Sequence, residues 1–359
     1  MTLRIVALAS ALLAPSAAFA APTIVELAQG FGGPEDERGG AGNEQPSVAV
    51  VDKEGKRFVV SIYMSSDVSS GDRPWQCKCS SVELDPILGP TLVADRVQLT
   101  SFDGNRPCNH PKAASDGESV IWTFGSNNPN LAQVRTYVAA VDELCRETGA
   151  PFRVSENANN NEGAPDIAWN GGSRFTGGYL STGENDRTYA LGLEVAKDPA
   201  GNVTFTKSYL TNVVSPANIG RPTILPMGMD RSLVCAAKGD QRPPEDGIQC
   251  GLVDATTGLV LWRDLVAPSD PQAEIYMNQP QLVQLSPERV ALMAIESRGQ
   301  GRKSGNKAPS ITHLYTLAPD DLGSHMESEI DSVGPYQAHA TICAGHWGEE
   351  ATPIVGLFD

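Results

Sequence analysis

A phrase that recurs at intervals of 54 to 65 residues constrains this chain more than any other feature. Each copy begins with a polar residue, usually followed by Pro, and continues as a short apolar run, a turn and a second apolar run. The copies begin at Gln45-Pro46, His110-Pro111, Ala164-Pro165, Arg221-Pro222, Gln279-Pro280 and, more weakly, Gln337-Ala338. A period of this length is typical of repeats that stack whole antiparallel sheets around an axis.

The second half of each unit also repeats, as two further apolar runs separated by a turn. Residues 135–141, 187–193 and 311–317 are rich in β-branched and aromatic residues, as strands are. The sequence therefore predicts an all-β protein, a six-bladed β-propeller of four-stranded antiparallel blades. We expect the N-terminal residues 23–27 and the C-terminal residues 338–359 to close the ring, since closure removes exposed sheet edges.

This strand pattern resembles that of exported bacterial proteins built of tandem propeller repeats. The copies that carry the resemblance are Gln45 to Val50 and Pro165 to Trp169, each with a Pro near the start of the first strand. The resemblance covers nearly the whole mature chain and is a strand pattern rather than a catalytic signature. It implies a cell-surface or envelope setting and no defined activity.

The first twenty residues are typical of a secretory signal peptide. Arg4 provides a positive start, the apolar stretch from Ile5 to Leu13 is too short to span a bilayer, and Ala18-Phe19-Ala20 is a small-x-small cleavage pattern. We expect residues 1–20 to be a signal peptide and residues 21–359 to form one propeller domain. The predicted location is the periplasm or the extracellular medium, without membrane insertion.

The charge balance limits the partners of the chain. With 27 Lys and Arg against 43 Asp and Glu, the net charge of −16 argues against binding to nucleic acid or to anionic membranes. No cofactor is firmly implied. Calcium is possible, because the segment from Glu156 to Glu162 is dense in oxygen ligands, although an Asn-rich turn needs no metal.

Seven cysteines in an exported chain are expected to pair, leaving one over. Cys235 and Cys250 are predicted to face each other across one hairpin and to bond. Cys108 is predicted to bond with Cys77 or Cys79, of which we take Cys79.

The residues that begin each copy are predicted to converge at one mouth of the central channel and to form a polar ligand site. This candidate set consists of Glu44, Gln45, His110, Arg221, Gln279, Gln337 and His339. An Arg binds a carboxylate or phosphate through bidentate hydrogen bonds, and a His acts as a general acid or base. The alternative is that these polar groups hold ordered water and satisfy neighbouring backbone groups.

A weaker candidate site is for zinc or copper. His339, Cys343 and His346 carry the imidazole and thiolate groups that such metals prefer, but no fourth ligand is in view.

These patterns favour a non-enzymatic envelope propeller that binds a small polar molecule or a protein. The alternative is an exported hydrolase or lyase acting on a saccharide-like substrate in the same channel. A perturbed acid–base pair in the channel distinguishes the two, because an enzyme needs one and a binding protein does not.

Overall fold

A computed structural model describes most of the chain after residue 42. The described residues are 43–66, 75–99, 108–127, 133–156, 160–183, 186–215, 217, 221–239, 247–268, 275–298, 310–318, 321–330, 339–346 and 351–358. The predicted signal segment, residues 23–27 and Gln337 lie outside them. Within these residues no helix is long and apolar enough to cross a membrane.

Twenty-two strands make up the described part of the chain. The first two blades consist of β1 (Asn43–Lys53), β2 (Lys56–Ser66), β3 (Trp75–Asp85), β4 (Gly89–Gln98), β5 (Cys108–Ser115), β6 (Val120–Asn127), β7 (Val134–Val141) and β8 (Phe152–Arg153). The next two consist of β9 (Asn161–Gly171), β10 (Arg174–Thr182), β11 (Arg187–Lys197), β12 (Val203–Val214), β13 (Thr223–Pro226), β14 (Arg231–Lys238), β15 (Gly247–Asp254) and β16 (Val260–Pro268). The remaining strands are β17 (Ile275–Ser286), β18 (Arg289–Arg298), β19 (Ser310–Ala318), β20 (Asp321–Ile330), β21 (His339–His346) and β22 (Ala351–Phe358).

Consecutive strands pair in antiparallel fashion to form four-stranded sheets, as the repeat predicted. The prediction of six such blades is wrong: the described residues form five, and β21 and β22 form a separate two-stranded sheet. The physical reason is the spacing of the last strands, since only 20 residues lie between the end of the fourth strand of the fifth blade, at Ile330, and the start of the last strand at Ala351. That is room for one further hairpin. The expected pairing of residues 23–27 with it lies outside the described residues.

Local sequence explains the tight turns within a blade. Between β1 and β2, Lys53 pairs with Lys56 across the two residues Glu54 and Gly55. Both of these have positive φ, 53° and 76°. This is the type I′ geometry whose twist matches that of the flanking strands, and glycine adopts it without steric cost.

The apolar cores lie between successive blades rather than inside a single sheet. Val60 and Ile62 of the first blade pack in one cluster with Trp122 and Phe124 of the second. Other clusters join the second blade to the third, the third to the fourth and the fourth to the fifth. Alternate residues of each strand thus face the blades on either side, and this packing holds the first strands of neighbouring blades side by side.

Three disulfide bonds reinforce this packing. Cys235 bonds with Cys250, its direct partner across the β14–β15 ladder. Cys108 bonds with Cys77, which corrects the choice of Cys79. Cys79 bonds instead with Cys145, in the turn after β7.

The correction follows from the position of the two cysteines on β3. They lie two residues apart on one face, and the end of β5 at which Cys108 lies is beside Met64, the ladder partner of Cys77. Both bonds join the first blade to the second. Cys343, the seventh cysteine, lies on β21.

A buried polar network joins the third and fourth blades. Nδ2 of Asn170 donates to Oγ of Ser232 at 2.8 Å, Ser232 donates to Oγ1 of Thr176 at 2.9 Å, and Thr176 donates to Oδ1 of Asn170 at 2.7 Å. Each of the three side chains is at most 4% exposed. Because removal of one member leaves buried partners unsatisfied, the network contributes to blade packing only when complete.

Asn170→Ala is therefore expected to lower the free energy of unfolding by about 2–3 kcal/mol. Asn202→Ala, which removes an exposed amide bonded to Asp198, is the control and is expected to have a small effect. Urea unfolding of both variants measures the difference. Equal losses would contradict a stabilising role for the buried network.

Candidate functional site

The site is built on the first strands of successive blades, which lie next to one another and line the channel. In four of these strands the ladder to the second strand is irregular at the Pro of the repeat. Pro lacks an N–H and cannot take its place in the ladder, so the strand bulges there.

The side chain of the residue after the Pro accepts a hydrogen bond from a backbone N–H of the next blade in four places. We call this contact a bridge. The N–H of Ala113 donates to Oγ of Ser47 at 2.9 Å. Three equivalent bonds are Ile224 to Asp166 (2.8 Å), Leu282 to Thr223 (3.2 Å) and Ile342 to Gln281 (3.3 Å). Sequence reasoning missed these residues, because the bulge at the Pro shifts the alternation of side chains by one position.

This pattern also corrects the position of the last repeat. Ile342 takes the place that Leu282 has in the preceding blade, so Thr341 corresponds to Gln281 and His339 to Gln279. The last copy therefore begins at His339, two residues after the predicted Gln337.

Four side chains from three neighbouring blades meet where the second, third and fourth copies of the repeat begin; we call the first residue of each copy its anchor. They are His110 and Lys112 on β5, Asp166 on β9, and Arg221 just before β13. An Nη2 of Arg221 forms a hydrogen bond with Nδ1 of His110. Each of the four remains partly exposed. Two of the predicted site residues are thus in direct contact, and we call these four residues the channel cluster.

The backbone at two of these anchors is strained. His110 and Ala164, both followed by Pro, have φ of 54° and 51°, the left-handed region that non-glycine residues avoid. Such strain costs on the order of 1–3 kcal/mol and persists mainly where the surrounding structure requires it, often at functional sites. The two strained anchors belong to the blades that carry His110, Lys112 and Asp166.

Burial shifts the proton equilibria of the cluster in opposite directions. It raises the pKa of the Asp166 carboxyl above its ordinary value, and the nearby Lys112 ammonium only partly offsets this. It also lowers the pKa of Lys112, with Asp166 opposing the shift. Both oxygens of Asp166 accept a backbone N–H, from Ile167 at 2.9 Å and from Ile224 at 2.8 Å, so its orientation is fixed.

His110 is neutral, and its ring serves as a hydrogen-bond donor rather than as a proton acceptor. Burial and, next, the Arg221 guanidinium lower its pKa to about 4. A guanidinium only donates, so Nδ1 of His110 must accept from Arg221 and the ring proton resides on Nε2. The ring therefore presents an N–H and not a free lone pair to other partners.

The remaining candidate residues lie elsewhere or outside the described side chains. Glu44, Gln45, Gln279 and His339 lie on the first strands of their blades, on β1, β17 and β21. Of the metal candidates, His339 and His346 are the two ends of β21, seven residues and roughly 23 Å apart along an extended strand. They cannot bind one ion together, and among the described residues no group of three His, Cys, Asp or Glu could hold a metal.

The oxygen-rich segment considered for calcium makes contacts with the protein itself. Oδ1 of Asn161 accepts from the N–H of Val134 at 3.1 Å, and Glu156 forms an ion pair with Lys207. Residues 157–159 lie outside the described part.

No family model and no curated protein matches this chain. Among solved structures it is similar to an α-L-arabinofuranosidase of Fusarium graminearum in complex with arabinobiose, at 14% identity over 78% of each chain and a TM-score of 0.48. It is also similar to a Penicillium chrysogenum α-L-arabinanase, at 11% identity over 69% of this chain and 74% of that one, with a TM-score of 0.47. A Cellvibrio cellulosa α-L-arabinanase matches at 11% identity over 80% and 95%, with a TM-score of 0.40.

These comparisons leave the propeller in place but identify no tandem-repeat family. The prediction of a non-enzymatic binding or scaffold protein is corrected in favour of its stated alternative, a saccharide hydrolase: the three solved structures are described as α-L-arabinanases and an α-L-arabinofuranosidase, and none as a binding protein. Independently of that likeness, the channel holds Asp166 and Lys112 with oppositely shifted pKa values. Titratable groups with shifted pKa values occur more often at functional sites than elsewhere in a fold.

Proposed function

We propose that this protein is an exported hydrolase that cleaves a saccharide in the central channel, with Asp166 as the general acid. One observation carries the proposal. Asp166 is a carboxyl on a channel-lining strand whose pKa burial raises, and it still exposes part of its surface. An acid of this kind keeps its proton closer to neutral pH than an ordinary Asp, whose pKa is about 3.9.

The proposed reaction uses that proton to release an alcohol. The glycosidic C–O bond breaks, the leaving oxygen takes the proton of Asp166, and water adds its hydroxyl to the anomeric carbon. The second proton of the water restores the carboxyl by way of the solvent. Each oxygen of Asp166 retains a lone pair beyond the one that accepts a backbone N–H, so the carboxyl holds a proton without losing its two anchoring bonds.

A purely structural role explains the cluster less well. Placing a carboxyl and an ammonium where both are desolvated is costly, and apolar residues of similar size often stabilise a fold as well or better. Enzymes retain such groups because they need a proton donor with a shifted pKa. Export is supported by the three disulfide bonds, which persist in oxidising compartments. We extend the proposal to removal of residues 1–20 on export and to a single domain over residues 21–359.

Activity against a panel of polysaccharides, followed by the appearance of reducing ends, tests the proposal. Hydrolysis in ¹⁸O-labelled water places one label at each new reducing end, whereas elimination yields an unsaturated sugar without label. We expect labelled products and a rate that falls as pH rises through the pKa of Asp166, because only the protonated acid acts. This fall in rate, the alkaline limb of the pH–rate profile, should lie above the pH at which an ordinary Asp loses its proton.

The neighbouring ammonium provides a test of the assignment. Lys112 lowers the pKa of Asp166, so Lys112→Met is expected to move the alkaline limb to higher pH. Lys56→Met, which removes an exposed Lys paired with Glu83, should leave the limb in place. A limb that does not move in Lys112→Met, or that moves to lower pH, would assign the acid to another residue.

A further inference from the structure

Donor groups predominate in the channel cluster. Arg221 and Lys112 only donate hydrogen bonds, and the bond from Arg221 makes His110 a donor through Nε2. Asp166 is the one carboxyl of the four, and its two oxygens are already engaged by backbone N–H groups. A ligand that meets this surface therefore has to supply acceptors.

Lys112 breaks the bridging pattern between blades. At the equivalent position Ser47, Asp166, Thr223 and Gln281 each accept a backbone N–H from the next blade. An ammonium has no acceptor, and the N–H of Ile167 donates to Oδ1 of Asp166 instead. The second blade thus lacks a bridge that the first, third, fourth and fifth blades possess.

The ammonium of Lys112 gains no compensating bond in the described part of the chain. Among those residues it forms neither a hydrogen bond nor a salt bridge, although its side chain is only partly exposed and its pKa is lowered chiefly by burial. A desolvated cation without a direct partner is costly, and a bound anion would remove that cost. The position of Lys112 thus indicates a ligand that brings a negative charge.

We propose that the substrate is an acidic saccharide whose carboxylate, as in a uronic acid residue, binds to Lys112, Arg221 and Nε2 of His110. This inference rests on the proposed hydrolase function. A planar carboxylate suits a guanidinium, which binds it through two parallel N–H groups.

The net charge of the whole chain does not oppose such a substrate at the site. The charge of −16 is spread over the protein, and at physiological ionic strength charges beyond about 8 Å are largely screened. The cluster itself contributes two cations, Lys112 and Arg221, against the one carboxyl of Asp166. The acidic remainder of the chain would slow the approach of long polyanions, so short chains are expected to bind relatively better at low salt.

Thio-linked disaccharides, which glycosidases cleave very poorly, allow equilibrium binding to be measured on the intact protein by calorimetry. The probes are thio-linked digalacturonate, its methyl ester, a neutral thio-linked digalactoside and its sulfated form. We expect digalacturonate to bind at least about tenfold more tightly than the ester or the neutral sugar. Lys112→Met should reduce that preference about tenfold, whereas Lys112→Arg, which retains the charge, should largely preserve it.

Lys56→Met is the matched control and should bind all four probes as the wild type does. Equal binding of acid and ester, or an equal effect of Lys112→Met on both, would overturn the inference. Tighter binding of the sulfated sugar than of digalacturonate would overturn the choice of a carboxylate. Cleavage of neutral but not of acidic O-linked substrates would overturn only the inference of an acidic substrate. Binding of digalacturonate that depends on Lys112, without cleavage of any substrate, would instead overturn the proposed hydrolase function.

Discussion

Asp166→Asn is expected to lower the rate of saccharide hydrolysis by about 10²–10⁴-fold, the usual contribution of a positioned general acid. The amide is nearly isosteric, and its Oδ1 still accepts one backbone N–H, but it cannot deliver a proton to the leaving oxygen. The effect should be largest for substrates with poor leaving groups. Aryl glycosides with acidic phenols need little protonation and should be cleaved at a rate closer to that of the wild type.

The control for this variant is Thr223→Val. The Asn side chain has one acceptor oxygen instead of two, so Asp166→Asn can lose the hydrogen bond from the N–H of Ile224. Thr223→Val removes an equivalent bridge, from the N–H of Leu282, without touching an ionisable group. We expect Thr223→Val to lose about 1 kcal/mol of stability and little activity. If a folded Asp166→Asn retained more than about a tenth of wild-type activity on poor leaving groups, Asp166 would not be the acid.

Removal of the Cys79–Cys145 bond by a double substitution to Ala is expected to cost about 4 kcal/mol of unfolding free energy. The bond closes a loop with a sequence separation of 66 and joins the first blade to the second, so its loss greatly increases the freedom of the unfolded chain. Both cysteines are at most 1% exposed, which adds a packing loss to the entropic one.

The Cys235–Cys250 bond provides the comparison within the same protein. It closes a separation of only 15 residues between two strands that already pair, and its removal is expected to cost about 3 kcal/mol. Urea unfolding without reductant measures the loss of unfolding free energy in both double variants. Equal slopes of that free energy against urea concentration would show that the unfolded states are comparable. A larger loss for Cys235→Ala/Cys250→Ala would contradict loop closure as the main source of stabilisation.

Half of the channel cluster was predictable from the repeat and from the geometry of a propeller. The anchors were expected to converge, and His110 and Arg221 do meet, although 111 positions separate them. Lys112 and Asp166, which directly follow the Pro of their copies, were not among the predicted site residues. The bulge at the Pro breaks the two-residue alternation, so the strand pattern alone did not place these two side chains beside His110 and Arg221.

Other features depended on contacts that no local pattern contains. Cys77 and Cys79 are equivalent in sequence terms, and only the position of Cys108 beside Met64 distinguishes them. The shifted pKa values of Asp166 and Lys112 arise from burial between blades that are distant in sequence.

The sequence by itself determined the strand order, the four-stranded antiparallel blades and the first five anchors, because alternation and turn residues act over a few neighbouring positions. Only the tertiary structure decided that the described residues form five such blades and one hairpin sheet. It alone also brought His110, Lys112, Asp166 and Arg221 into one cluster. The physical reason is that desolvation and Coulomb interactions depend on distance in space, and packing around the channel sets that distance.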